Sequence, residues 1–202
     1  MANLEAEIRR TDPYADAYHI DVCDGHYAPN LLFFPDLVAA IRGKTEKPFE
    51  VHLITEHPEK WVAAFDEAGA DSIIFYPDAA KNPEALVNEI LSRDLEAGIS
   101  LSLEHPASLV EKILDRLDLV VVIGTESGIK GVQTVAPAAY EKIRLLKQWR
   151  EERGLDFEIE ADGAIRVETV PLLREAGVDV VVPGSLMFKY DMAEISRWLR
   201  SL

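Results

Sequence analysis

The feature that most restricts this chain is a strict alternation of two patterns. Short runs rich in β-branched residues occur at "YHIDV" (18–22), "FEVHLI" (49–54), "SIIFY" (72–76), "ISLSL" (99–103), "LVVVI" (119–123), "FEIEA" (157–161) and "DVVVP" (179–183). Longer amphipathic stretches separate them, such as "PEKWVAAFDEAG", "PASLVEKILDRL", "PAAYEKIRLLKQWREERG" and "ETVPLLREAG". Several of these open on Pro or an acidic residue and close on Gly, as helices do. A short joint, "EAGAD" (67–71) and "EAGVD" (175–179), recurs between a helix end and a strand start. Such alternation predicts a parallel sheet with right-handed crossovers. Two architectures remain, an open doubly wound sheet and a (β/α)₈ TIM barrel. Eight helices and seven strands can be read, and the count favours the barrel. The chain opens on the helix-like "ANLEAEIRR" where a barrel opens on a strand, so a first strand is expected to be missing from this sequence. No linker divides residues 1–202, which read as one domain.

Composition removes several functions. The chain has 202 residues and a formal net charge of −15, which opposes binding to nucleic acid or to an anionic membrane. A local ring of backbone N–H groups can still bind a small anion. Cys23 is the single cysteine, so no intrachain disulfide can form, and a reducing, cytoplasmic location is expected. No apolar run approaches the roughly 20 residues of a membrane span.

Polar residues at strand ends carry the chemistry. In a parallel barrel the catalytic groups sit at the C-terminal ends of the strands. His19 and Asp21 are two apart on one strand and share a face. His52 lies near the end of the next strand, and Asp162 follows "FEIEA" directly. Each alone has an ordinary structural explanation. Together they do not, because burying several ionisable groups costs several kcal/mol unless they are paired or hold a metal. Two imidazoles and two carboxylates suit one divalent ion, Zn, Fe, Mn or Co. Small residues after the last two strands, in "DGAIR" (162–166) and "PGSLMF" (183–188), offer backbone N–H groups to a phosphate. A long glycine-bearing loop, "GTESGIKGVQTVAP" (124–137), has the length of a lid.

These residues resemble the ribulose-phosphate 3-epimerase family. "HIDVCDGHYAPN" is similar to that family's HxDxMDGxFxPN, "EVHLI" to DVHLM, "EADGAI" to EVDGG and "PGSLMF" to AGSxxF, in order along essentially the whole chain. The resemblance implies a (β/α)₈ barrel and metal-dependent epimerisation at C3 of a ketose phosphate, D-ribulose 5-phosphate to D-xylulose 5-phosphate. It implies His19, Asp21, His52 and Asp162 as metal ligands, with Asp21 and Asp162 also the acid/base pair acting through a 2,3-enediolate. His52 and Asp162 would touch substrate; Gly163, Ala164, Gly184 and Ser185 would line the phosphate site; Gly128, Ile129, Lys130 and Gly131 would form the lid. A homo-oligomer is expected as well. The sequence departs from the family in four places. The family's opening PSxLSAD element is absent, and "ANLEAEIRR" matches the helix that follows it, so a start placed too late or a shortened form of the protein is expected. Cys23 and Ile54 stand where the family has methionines, with Ile123 or Gly124 at a third such place. The lid reads "GTESGIKG" in place of VNPGFGG, and the second Gly of DGG is Ala164. The last three changes touch the walls around the sugar. They keep open a 3-epimerase of a hexulose or tetrulose phosphate, a metal-independent phosphate-binding lyase or decarboxylase, and a non-catalytic sugar-phosphate binder.

Overall fold

The computed structural model describes residues 3–126 and 133–202. Eight strands form one sheet: β1 (Tyr18–Asp24), β2 (Leu31–Leu32), β3 (Phe49–Ile54), β4 (Ser72–Phe75), β5 (Glu96–Leu101), β6 (Leu119–Ile123), β7 (Glu158–Asp162) and β8 (Val180–Val181), in the order β2-β1-β3-β4-β5-β6-β7-β8. Every pairing from β1 through β8 is parallel, and only the two-residue β2 runs antiparallel, against Cys23 and Asp24. The sheet curls as a TIM barrel does, and among the described residues it is open: β8 pairs with β7 alone, and β1 with β2 and β3 alone. The helices are α1 (Leu4–Thr11), α2 (Pro35–Arg42), α3 (Val62–Glu67), α4 (Pro83–Leu91), α5 (Pro137–Arg153), α6 (Val170–Ala176), α7 (Gly184–Lys189) and α8 (Met192–Leu199). None of the described helices is long and apolar enough to cross a membrane.

The strands are apolar on both faces because both are covered. Val51, Ile73, Ile99, Val120, Val122 and Ile159 join the large core. A second cluster of Ile74, Tyr76, Leu119, Val121 and Ile123 fills the concave side. Gly98 is required in that filling, since a Cβ there would lie 2.8 Å from Ile74 and 2.9 Å from Leu119. Trp61, Trp149 and Trp198 pack at the margin of the large core, as packing anchors should.

The repeated joint has a specific purpose. Asp71 and Asp179, which end the two joints, and likewise Asp118 each precede a strand and accept a backbone N–H from the first or second residue of the neighbouring one: from Phe49 at 2.7 Å, Ala97 at 2.8 Å and Ile159 at 2.9 Å. Those three donors belong to fully buried residues, so the carboxylates satisfy groups that water cannot reach. The Arg42 and Arg150 guanidinium groups pair with Asp71 and Asp179 in turn.

Three expectations change. "PASLVEKILDRL" is not an α-helix. Val110 bonds back to Ala107, Ile113 to Val110 and Arg116 to Ile113, a run of i→i+3 turns. The apolar spacing that suggests an α-helix also serves 3₁₀ turns, and Val110, Ile113, Leu114 and Leu117 are buried as the pattern requires. The strand read at 99–103 begins earlier, at Glu96, because Gly98 and Ala97 belong to it. The strand read at 179–183 pairs over Val180–Val181 only.

Candidate active site

Parallel register sets the site. Asp21 stands opposite His52 across β1 and β3, and Asp162 ends β7 opposite Ile123. Period-two alternation sends His19, Asp21, Glu50, His52, Glu160 and Asp162 to the concave side. His19, Asp21, His52 and Asp162 each bring a ligand atom within 4.8 Å of the others. His19 Nε2 faces His52 Nδ1 at 3.3 Å, and Asp21 Oδ1 lies 3.6 Å from the first and 3.3 Å from the second. Asp162 Oδ1 accepts the Gly163 N–H at 2.7 Å, which aims the carboxylate from the strand end.

The protein leaves this cluster unsatisfied. Asp21 Oδ1 and His52 Nε2 are buried without a hydrogen-bond partner. Burial disfavours charge on His19, yet the surrounding Asp21, Glu160 and Glu50 carboxylates outweigh it and raise the imidazole well above its ordinary value. Burial raises the Asp162 carboxyl, with the Asp21 charge adding to it against the two histidines. Burial also pushes Glu160 up to about 7, with Glu50 and Asp162 contributing and His19 opposing. Burial would raise Asp21 too, but the His19 and His52 imidazoles hold it far below the carboxylate range. Two imidazole nitrogens face each other beside the Asp21 carboxylate, with the Asp162 carboxylate within 4.8 Å. That donor set fits a divalent cation.

Glu160 and Glu50 are functional candidates that the sequence reading missed. Glu160 Oε1 lies 3.1 Å, and Glu50 Oε2 3.5 Å, from His19 Nδ1, the ring nitrogen turned away from the tetrad. These three also bring ligand atoms within 4.8 Å of one another. A neutral imidazole binds a cation through one nitrogen only, so the two carboxylates fit better as acceptors that fix the His19 tautomer and leave Nε2 free. The signal was present in the acidic alternation Glu158, Glu160, Asp162 along one face of β7.

The anion-binding expectations fall nearby. Gly163 (φ +88°) and Ala164 (φ +56°) both occupy the left-handed region directly after β7. Ala164 thus holds a conformation for which glycine is suited, at a cost of about 1–2 kcal/mol. Gly184 and Ser185 are exposed and are the first two residues of α7. Gly124 N–H donates to the Asp162 carbonyl at 2.7 Å, so the loop after β6 starts against the site. Glu126 and Gln133 bond to each other across that loop's base at 3.1 and 3.2 Å. Gly128, Ile129, Lys130 and Gly131 lie outside the described residues. Cys23 is buried, and burial with the Asp21 and Asp24 charges pushes its thiol up to about 11, so it forms a neutral wall.

A curled parallel α/β sheet with a histidine–carboxylate cluster at its strand ends defines a barrel-type enzyme able to hold one cation. The profile of the ribulose-phosphate 3 epimerase family matches residues 1–188, and the chain belongs to that family. Among curated proteins it is 38% identical to a ribulose-phosphate 3-epimerase of Treponema pallidum, over 84% of this chain and 78% of that one. It is 36% identical to the enzyme of that name from Bacillus subtilis, over 86% and 80%, and from Methanocaldococcus jannaschii, over 95% and 81%. A solved tryptophan synthase alpha-subunit from Pyrococcus furiosus superposes with a TM-score of 0.68 at 13% identity, covering 98% of this chain and 89% of that one. This last likeness concerns the fold alone. The chain is accordingly an isomerase of the epimerase type.

Proposed function

We propose that this chain, as a single barrel domain over residues 1–202, epimerises C3 of D-ribulose 5-phosphate to give D-xylulose 5-phosphate. The observation that carries the reading is the convergence of His19, Asp21, His52 and Asp162 within 4.8 Å at the ends of three strands, in a chain of this family. These four would hold one divalent ion, Zn, Fe, Mn or Co, which when bound supplies Lewis-acid stabilisation of negative charge on the substrate oxygens. Asp21 on β1 and Asp162 on β7 approach from different strands. One carboxylate removes the C3 proton, and the other returns a proton to the opposite face of the planar 2,3-enediolate. Exchanging their protonation states runs the reaction backwards. His52 orients the substrate beside Asp21. Glu160 and Glu50, 3.1 and 3.5 Å from His19 Nδ1, would accept its proton and hold its ring. Gly163, Ala164, Gly184 and Ser185 receive the phosphate through backbone N–H groups and the Ser185 hydroxyl. Gly128, Ile129, Lys130 and Gly131 close over the substrate and exclude water. No redox cofactor takes part. The enzyme would work in the cytoplasm, as a homo-oligomer.

A second substrate reading, a hexulose or tetrulose phosphate, is favoured by one observation. Ile54 stands at a place where the family has methionine, and it packs against the concave-side cluster that includes Tyr76 and Ile123, so the sugar chamber has its own walls. Purified protein supplied with each candidate ion and with five-, six- and four-carbon ketose phosphates decides between them. Turnover fastest on D-ribulose 5-phosphate is expected. Faster turnover of another ketose overturns the substrate assignment, and inertness on all of them overturns the catalytic one.

A further inference from the structure

We propose that Tyr76 and Ser100 form the pocket for the end of the substrate remote from its phosphate, with Tyr76 reading the C1 hydroxyl as a specificity-determining residue. This rests on the reading of the chain as a C3-epimerase of a ketose phosphate. If C3 lies between Asp21 and Asp162, and the phosphate on C5 lies at Gly163, Ala164, Gly184 and Ser185 after β7 and β8, then C1 must extend the other way. The sheet order places β4 and β5 there, since β4 is four places from β8 around the curl. Tyr76 directly follows β4, and Ser100 is on β5.

Both side chains are built into the concave side and offer polar atoms to it. Tyr76 is 4% exposed, and its ring packs 5.2 Å from the His52 ring and 4.9 Å from the Tyr27 ring, nearly parallel to the latter. Ser100 is fully buried, and its Oγ lies beside the Tyr76 hydroxyl with no well-formed hydrogen bond to it among the described residues, so the two hydroxyls face the concave side as a pair. Burial pushes the Tyr76 phenol up, against the influence of Ser100, with Asp162, Asp21 and Cys23 adding to it. The Tyr76 hydroxyl supplies one O–H donor.

Three loops hold Tyr76 in place. Asp24 Oδ1 accepts the backbone N–H groups of His26 at 2.9 Å and Tyr27 at 3.1 Å, which sets Tyr27 over Tyr76. Tyr27 donates its hydroxyl to Asp78 Oδ1 at 2.9 Å. The Ser102 N–H donates to His105 Nδ1 at 3.2 Å, so the His105 proton is assigned to Nε2, which lies 3.3 Å from the same Asp78 oxygen. A hydroxyl-reading wall needs this rigidity, because a donor aimed within a few tenths of an ångström discriminates far better than a mobile one.

The test compares D-xylulose 5-phosphate with its 1-deoxy analogue, following C3 proton exchange with solvent for both. The wild-type kcat/KM is expected to favour the hydroxylated sugar by about tenfold or more, equivalent to about 1.4 kcal/mol. Tyr76→Phe should cut that ratio about tenfold while leaving kcat/KM on the 1-deoxy analogue within about threefold. Ser100→Ala should lower the ratio without touching the ring stack, so the proposal does not depend on one variant. A ratio unchanged in both variants, or equal losses on both sugars, overturns the proposal while the epimerase reading stands. A wild-type protein that exchanges the C3 proton of neither sugar overturns the epimerase reading and this pocket with it.

Discussion

The two ends of the sheet use the same residue type in opposite circumstances. At the N-terminal end, Asp71, Asp118 and Asp179 each accept a backbone N–H from a fully buried residue on the neighbouring strand. At the C-terminal end, among the described residues, Asp21 Oδ1 is buried with no hydrogen-bond partner, and the Asp162 carboxylate accepts only the N–H next to it in sequence. The first set completes the fold. The second is held in place by the fold and left open to something the protein does not supply. An aspartate beside a strand is therefore informative only once its partner is known.

Exchanging the effects of mutation at the two ends is the direct way to break this comparison. Asp21→Asn and Asp162→Asn should lower kcat on D-ribulose 5-phosphate by about 10²–10⁴-fold with the fold retained. Neutralising Asp162 should even favour the metal-free fold slightly, since burial raises its carboxyl. Thermal melts beside steady-state rates read both quantities, and unchanged kcat in both variants would remove the distinction. Asp118→Ala and Asp179→Ala should do the reverse. Each leaves a buried N–H of Ala97 or Ile159 without its acceptor and should cost about 1–3 kcal/mol of stability in urea unfolding. Activity per folded molecule should stay within about twofold if those residues belong to the fold alone.

Lys142 sharpens the same contrast on a helix. It is buried on α5, its Nζ donates to the Ser102 carbonyl, and burial pulls its ammonium down to about 8. The unfolded chain binds this proton up to about pH 10.4. Stability should therefore be lowest below pH 8 and rise as pH climbs from about 8 toward 10.4, because the unfolded state holds the extra proton across that window. Lys142→Met should flatten the rise and add about 1–3 kcal/mol near neutral pH, with urea midpoints at pH 7 and pH 10 as the measurement. The smallest effect is expected at Ala164, whose φ of +56° favours glycine. Ala164→Gly should raise stability by up to about 1 kcal/mol, and a lower melting temperature would show that the left-handed turn is not strained.

Much of this was legible in the sequence, for reasons that differ along the chain. The bounds of β3 and β6 are those of "FEVHLI" and "LVVVI", because continuous β-branched runs buried on both faces leave little choice. The tetrad was legible because polar residues at strand ends violate the apolar rule around them. Glu160 was not, since an acidic residue inside "FEIEAD" reads as a solvated face until the sheet curls and buries it, at 1% exposure. The 3₁₀ turns between β5 and β6 were hidden by a spacing shared with an α-helix. The wall of Tyr27, Tyr76 and His105 was also hidden, because it joins three loops far apart in sequence.

Cation binding by the open end is what the comparison stands on, and calorimetric titration of metal-stripped protein with Mn²⁺ or Zn²⁺ measures it without reference to turnover. One ion per chain is expected for the wild type and for Asp118→Asn, with binding abolished or weakened at least about tenfold in His52→Ala and Asp162→Asn. Unchanged affinity and stoichiometry in both of the latter variants would contradict it.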